Sequence, residues 1–454
     1  MPLTSRKELM SVVETMPPVE SDSVQDRPLR IALVHTADHG GGAEASTLSL
    51  HLALKQLGHD SQLFVGSKLT TQPDVFEIPK FRCFPGVLRG AHWLERTFGW
   101  QYLYHPWFRQ VDRLFRGKVD LIHFHSLWGG REGYADINGL PRLTRRFPSI
   151  LTLRDLWMVT GHCACPALGC ERWKTGCGQC PDLKIPPDIQ VDGTAFNWKR
   201  KRRAIAASNL RVTTVSNWLS EVARSSPIFE GKEVQTVYNG IDESAFYPRP
   251  RTAARVKLGL PQDAWVVMLA GQSVEGTAGK GSGAAEYALK ALNQCEPKPF
   301  PLFVGKSAQS MLERWGQPGR AVPFQTDPSE LAEFYSAADV VLVASLWETF
   351  GRIPAEAQMC GVPVVGFATG GIPEIVEHGV SGLLARTQDT AGLTSALTML
   401  AADSDMRHRM GHDGAVRARR MFGNSVVAEN YVRQYRSVIA SRQVVESRRS
   451  GCRI

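Results

Sequence analysis

Residues 29–34, LRIALV, form a short apolar run without helical period, and the polar, glycine-rich stretch HTADHGGGAE follows at once. A helical pattern then runs from Ala43 to Leu57 and stops at Gly58, ahead of a second strand-like run, Gln62 to Val65. Strand, glycine loop, helix, strand opens a doubly wound α/β sheet, because two parallel strands need a crossover helix between them. Further strand candidates are Leu121–His125, Ser149–Leu153 and Val212–Val215. The same organisation begins again at Trp265–Ala270 (WVVMLA) and continues through Leu302–Val304, Val340–Val343 and Val362–Phe367. The sequence therefore predicts an α/β chain of two doubly wound, Rossmann-like domains facing a cleft, with ligands beyond the carboxyl ends of the strands. The expected divisions are a loose leader (1–27), a first domain (28–246), a second domain (247–425), and a crossover helix with a basic, frayed tail (426–454).

Bulk properties narrow the partners. The 454 residues suffice for two cores, and 43% hydrophobic with 21% charged residues is a globular composition. No stretch approaches the roughly 18 to 20 uninterrupted apolar residues of a membrane span. The N-terminus lacks a basic patch followed by an apolar core, which predicts no secretion signal and a cytoplasmic chain. A net charge of +9 suits anionic partners: a nucleoside diphosphate, the inner face of an acidic membrane, or a nucleic acid. No recognition motif supports the nucleic acid.

The segment Val340–Leu384, VVLVASLWETFGRIPAEAQMCGVPVVGFATGGIPEIVEHGVSGLL, concentrates the chemistry. A buried strand ends near Ser345 and a loop carries Glu348, Phe350 and Gly351. Pro354 fits the first position of a helix, which places Glu356 in the first turn beside free backbone donors. Gly370 and Gly371 open a second close backbone approach ahead of Glu374.

Two glutamates separated by seven residues, followed by GVPVV and GGIPEIVEHGVSGLL, resemble the donor-site signature of retaining family-4 glycosyltransferases of the GT-B fold. The resemblance covers most of residues 29–440. It implies that the first domain takes the acceptor and the second a UDP- or GDP-sugar. Glu356 would bind the ribose hydroxyls; Glu348, with backbone groups of Phe350 and Gly351, would lie against the transferred sugar and phosphate. HGGGAE (39–44) resembles the family's glycine loop, so Gly41 and Gly42 would face the donor phosphates. Within GQSVEGTAGKGSG, Lys280 fits the family's lysine, while Gln272 stands where an arginine is usual. Arg154 stands where many members carry a histidine that contacts the sugar; His125 or His162 could serve nearby, and Asp155 either orients the acceptor or caps a turn. Catalysis would need no metal, since the task is to stabilise charge growing on pyrophosphate. TLRDLWMVTGHCACPALGCERWKTGCGQCP (152–181) brings the likeness closest to transferases of polysaccharide and colanic-acid-like pathways, with a glycan or lipid-linked acceptor. Arg154 and Gln272 also motivate an alternative: a catalytically silent GT-B protein that binds a glycan or a partner enzyme.

Cys177 and Cys180 form a C-x-x-C pair, a spacing that lets two thiolates share one tetrahedral ion. Similar transferases show the pattern of Cys163, Cys170, Cys177 and Cys180, which by that resemblance would hold a structural zinc ion; buried free thiols and a disulfide or redox pair stay open. Residues 92–118 interleave eight aromatics with Arg and His, and read either as a membrane-interface element or as helices packing their rings inward. NWKRKRRA (197–204) reads as a solvated cationic helix face or a site for anionic lipid.

Overall fold

The computed structural model describes residues 27–79, 85–128, 134–166, 169–271, 281–294 and 296–451. The first sheet contains β1 (Arg30–Ala37), β2 (Asp60–Ser67), β3 (Val75–Glu77), β4 (Leu121–Phe124), β5 (Ser149–Leu153), β6 (Arg211–Thr214) and β7 (Val234–Thr236). The second contains β8 (Trp265–Gly271), β9 (Pro299–Gly305), β10 (Arg320–Val322), β11 (Val340–Val343), β12 (Val364–Phe367) and β13 (Gly382–Ala385). Their orders are β3-β2-β1-β4-β5-β6-β7 and β10-β9-β8-β11-β12-β13. The pairings β1–β2, β1–β4, β8–β9 and β8–β11 are all parallel. Helices cover both faces of such sheets, so their strands read as continuous apolar runs and not as alternation. That is why LRIALV and WVVMLA stood out.

Strand order reverses between β1 and β4 in one sheet and between β8 and β11 in the other, and a glycine-rich sequence follows the central strand at each reversal. A crevice at a reversal, beyond the carboxyl ends, is the usual ligand position in open α/β sheets. The strands β3, β7, β10 and β13 are three or four residues long and leave no periodic signal.

Two expectations change in the structure. The helix after Glu348 begins at Arg352, not at Pro354, with Gly351 as its N-cap at φ 104°. Pro354 is still among the first residues, whose N–H groups lack intrahelical acceptors, so its ring costs the helix nothing. Glu356 accordingly lies two residues further in than predicted. The closing helix runs from Asn424 to Gly451, so the basic tail is helical over most of its length. Val427, Ala428, Tyr431, Tyr435 and Ile439 of that helix join the core of the first sheet.

The cationic stretch 197–204 is also only partly solvated. Within the helix Thr194–Ala206, Arg200 is 8% exposed and Lys201 is fully buried. The Lys201 ammonium donates to the carbonyls of Trp157 (2.5 Å) and Thr160 (3.0 Å) and lies 3.6 Å from the Trp157 ring centroid. These contacts pin the loop after β5 to the domain, and burial lowers the Lys201 pKa well below the usual lysine range. In the aromatic stretch Phe108 is buried, whereas Trp93, Phe98 and Tyr104 are exposed. Among the described residues no helix is long and apolar enough to cross a membrane.

Candidate active site

The paired-glutamate segment begins where β11 ends. The Ser345 hydroxyl donates to Glu348 Oε1 (3.2 Å), and the Glu348 carbonyl accepts from the Gly371 N–H (2.9 Å). Gly370 makes this approach possible: its φ is +54°, and a Cβ there would lie 1.9 Å from the Glu348 carbonyl oxygen. Gly370→Ala is therefore expected to cost about 2–3 kcal/mol by clash and strain and to displace Glu348. Thermal melting checks this; an unchanged midpoint would show that the loop does not depend on the glycine.

One turn into the next helix, Glu356 is buried, and its carboxylate is fully engaged. Arg352 donates to Oε1 through Nε (3.0 Å) and Nη2 (2.7 Å), while the Tyr335 hydroxyl donates to Oε2 (3.0 Å). Arg352 also reaches across to the first sheet. Its Nη1 donates to the Ser46 hydroxyl (2.9 Å) and meets the Gly240 carbonyl at 3.5 Å. The expected glycine loop meets it there: a Cβ on Gly42 would come within 2.9 Å of Arg352 Cδ. Glu44 closes that loop by accepting from the Gly41 N–H (2.9 Å), as the reciprocal partner of a helix N-terminus.

The carboxyl ends of β1, β4 and β5 bring together His35, His125 and Arg154. Arg154 is 7% exposed; it donates to Asn239 Oδ1, and its Nη2 lies 3.2 Å from His125 Nδ1. Among the described residues no carboxylate lies within ion-pair distance of it. Among the described residues neither ring nitrogen of His35 nor Nε2 of His125 has a hydrogen-bond partner, and His35 Nε2 stands 3.9 Å from Glu44 Oε1. Such a buried, poorly compensated cation demands an anion or a lowered pKa. Burial lowers the Arg154 pKa accordingly.

Burial, and then the Arg154 charge, hold His35 well below the usual histidine range, and burial likewise depresses His123 and His125. Depressed folded pKa values mean that the unfolded chain binds more protons below about pH 6.5. Stability from these rings is thus complete above that pH and lost as pH falls, at about 1.4 kcal/mol per pH unit for each ring. Urea denaturation between pH 7 and pH 5 should show this decline; a pH-independent midpoint would contradict it.

The two edges are tied together by polar contacts. The Thr349 hydroxyl donates to the Arg154 carbonyl (2.7 Å), and the Ser216 hydroxyl to the Thr349 carbonyl (2.5 Å). The Glu374 carboxylate accepts from the N–H groups of Asn217 and Trp218, both at 2.8 Å, at the start of the helix Asn217–Arg224. A carboxylate there is favoured by the free donors and by the helix dipole. Phe350 is buried against Phe422 (5.5 Å), so it offers its backbone and not its ring.

The structure thus gathers Gly41, Gly42, Arg154, Glu348, Phe350, Gly351 and Glu356 along the facing edges. Gln272 and Lys280 lie outside the described residues. Arg352, Tyr335 and Asn239 were not anticipated; the i, i+4 spacing of Arg352 and Glu356 was the available signal. Asp155 does cap a turn, accepting from the Trp157 N–H (2.8 Å) and from Trp128 Nε1 (2.7 Å). His162 lies away from Arg154, with Nε2 3.3 Å from Cys180 Sγ.

The thiols of Cys163, Cys170, Cys177 and Cys180 lie close enough to act on one another's ionisation. Among the described residues no cluster of three or more His, Cys, Asp or Glu side chains is placed to hold a metal ion. Cys177 Sγ instead accepts from the Gly161 N–H at 3.1 Å. Burial pushes the Cys163 thiol up to about 12 and the Cys177 thiol up to about 11, with the neighbouring thiols adding to the shift.

Two parallel sheets with facing carboxyl edges, a glycine loop on one side and a paired-glutamate segment on the other, define a GT-B glycosyltransferase. Residues 40–245 match Glycosyltransferase Family 4, and residues 288–417 match Glycosyl transferases group 1. The D-inositol 3-phosphate glycosyltransferase of Thermobispora bispora is 30% identical over 333 residues, covering 70% of this chain and 71% of that one. The D-inositol 3-phosphate glycosyltransferase 1 of Catenulispora acidiphila is 29% identical, covering 71% and 73%. Among solved structures, a sucrose-phosphate synthase from Thermosynechococcus elongatus superposes with a TM-score of 0.66 at 20% identity, over 91% of this chain and 100% of that one. Anabaena HepE, solved with UDP and glucose, gives 0.62 at 17% identity, over 90% and 100%. The chain belongs to the family-4, group-1 glycosyltransferases. The curated relatives share that class without singling out the colanic-acid branch.

Proposed function

We propose that this glycosyltransferase transfers a hexosyl group from a UDP- or GDP-sugar with retention and without a catalytic metal. On this reading residues 28–246 take the acceptor and residues 247–425 the donor. The observation that carries it is the meeting of Glu348, Arg352 and Glu356 with the glycine loop and Arg154 across one cleft. The solved neighbour HepE, described with UDP and glucose, supports the donor class.

In the reaction the bond between the anomeric carbon and the phosphate oxygen breaks, and negative charge grows on the pyrophosphate. The backbone N–H groups of Gly42 and of the Phe350–Gly351 turn, the Arg154 guanidinium and Lys280 supply stabilisation as that charge develops. Glu348 orients the transferred sugar, and Glu356 the ribose, with Arg352 and Tyr335 fixing the Glu356 carboxylate beforehand. Arg154 also suits a phosphate- or carboxylate-bearing acceptor. A lipid-phosphate-linked glycan meets that description, and so do the small anionic acceptors in the names of relatives, inositol 3-phosphate and malate.

Incubation with a panel of nucleotide sugars, followed by mass spectrometry, tests the proposal: hydrolysis or transfer of at least one donor is expected. The prior engagement of Glu356 by Arg352 and Tyr335 favours one other reading, a chain that retains a donor without turning it over. Retention with no product across the panel would select that reading, and no retention of any donor would defeat both.

A further inference from the structure

A cavity of about 560 Å³ lies at the amino ends of β11 and β12, the ends opposite those that carry the Glu348 loop and Gly370. Its walls come from the segment joining the two sheets, the end of the helix Arg352–Met359, the helix Pro328–Ala337 and the helix Ser404–Phe422. Arg249, Arg251, Arg407, Arg419, His408 and His412 line it, against a single carboxylate, Asp339. Asp339 is already engaged: it pairs with Arg251 (2.5 Å) and Arg255 (2.7 Å) and accepts from the Val266 N–H (2.7 Å). Arg249 is only loosely balanced, with Nε 3.6 Å from Glu333. Arg249 Nη1 and Arg407 Nε are buried without a hydrogen-bond partner. Arg251 and Thr252, on the same wall, begin a helix that has no side-chain cap.

Unpaired buried guanidinium donors cost free energy unless an acceptor reaches them, and arginine forks match phosphate oxygens in pairs. The volume lies within the range of small-molecule sites. We propose that this cavity binds a small phosphate-bearing anion, at a site separate from the sugar-transfer cleft. The proposal does not depend on the donor reading.

The cavity is mechanically connected to the cleft. Met359, Cys360 and Gly361, at the end of the helix Arg352–Met359, line it, while Glu356 stands about 5 Å and Arg352 about 10 Å back along that helix. Ser336, also on the wall, follows Tyr335, whose hydroxyl holds Glu356. An anion seated between Arg407, Arg419 and Arg249 therefore bears on both elements that fix the Glu356 carboxylate.

The test is calorimetric titration of the full chain with inorganic pyrophosphate, at ionic strength matched with chloride. The double variant Arg419→Ser/His412→Ser removes two exposed side chains from the cavity, and Arg154→Leu removes the cation of the cleft. Saturable binding is expected in the wild type and in Arg154→Leu, and should weaken tenfold or more in the double variant while its ligand-free melting point stays unchanged. Arg249→Ser, chosen because it removes an unpaired buried donor, should weaken binding as well. Binding that disappears in Arg154→Leu and persists in the double variant would place pyrophosphate in the cleft and overturn the proposal. Absence of saturable binding in the wild type would overturn it too.

Discussion

Glu356→Ala is expected to destabilise the fold by about 3–5 kcal/mol, as breaking one side of a buried ion pair does, and to abolish sugar transfer. The Arg352 and Glu356 side chains are 17% and 6% exposed, so the arginine left behind has no easy return to water. Tyr335 loses the acceptor of its buried hydroxyl in the same step. Arg352 would also lose the bidentate contact that aims it at Ser46 and Gly240, loosening the junction of the two sheets. Glu356→Gln, which keeps an acceptor oxygen, should fall between the two. Urea denaturation and turnover measure the effects; a variant as stable and active as the wild type would show that Glu356 is neither a structural counter-ion nor a donor ligand.

That pair also shows what the sequence made legible. Glu348 and Glu356 are close along the chain, in a strand–loop–helix whose apolar runs and glycines announce it, so both appear before any tertiary contact is known. Arg352 lies in the same segment but was passed over, because an arginine on a helix usually faces solvent. Arg154 was flagged only as a departure from a resemblance. Its partners, His125 and Asn239, come from elements far apart in sequence that meet only when the sheet order is set. The Glu374 clamp onto Asn217 and Trp218 is hidden for the same reason. The sequence leaves 197–204 between a solvated face and a lipid site, since charge alone does not reveal that two carbonyls and an indole ring await Lys201. The fold was legible further than the site because buried parallel strands mark themselves locally, whereas cross-sheet contacts do not.

Arg154→Leu should separate stability from function. Removing a buried, poorly compensated charge removes its desolvation cost, which offsets the space left by the shorter leucine, so the melting point is expected to hold. Transfer should nevertheless fall by about 10²–10³-fold, the usual cost of removing one donor to developing negative charge. Arg154→Lys should not restore it, because a single ammonium cannot contact Asn239, His125 and an incoming anion together. A leucine variant that loses stability but keeps its turnover would make Arg154 part of the scaffold.

The central claim is that a nucleotide sugar occupies the cleft between the glycine loop and the Glu348–Glu356 segment. Its most direct test is calorimetric titration of the wild-type chain with UDP- and GDP-sugars, each repeated on Glu356→Gln. One saturable site for at least one donor, weakened tenfold or more in the variant, is the predicted result. Heats no different from dilution for every donor, or equal affinity in both chains, would contradict it.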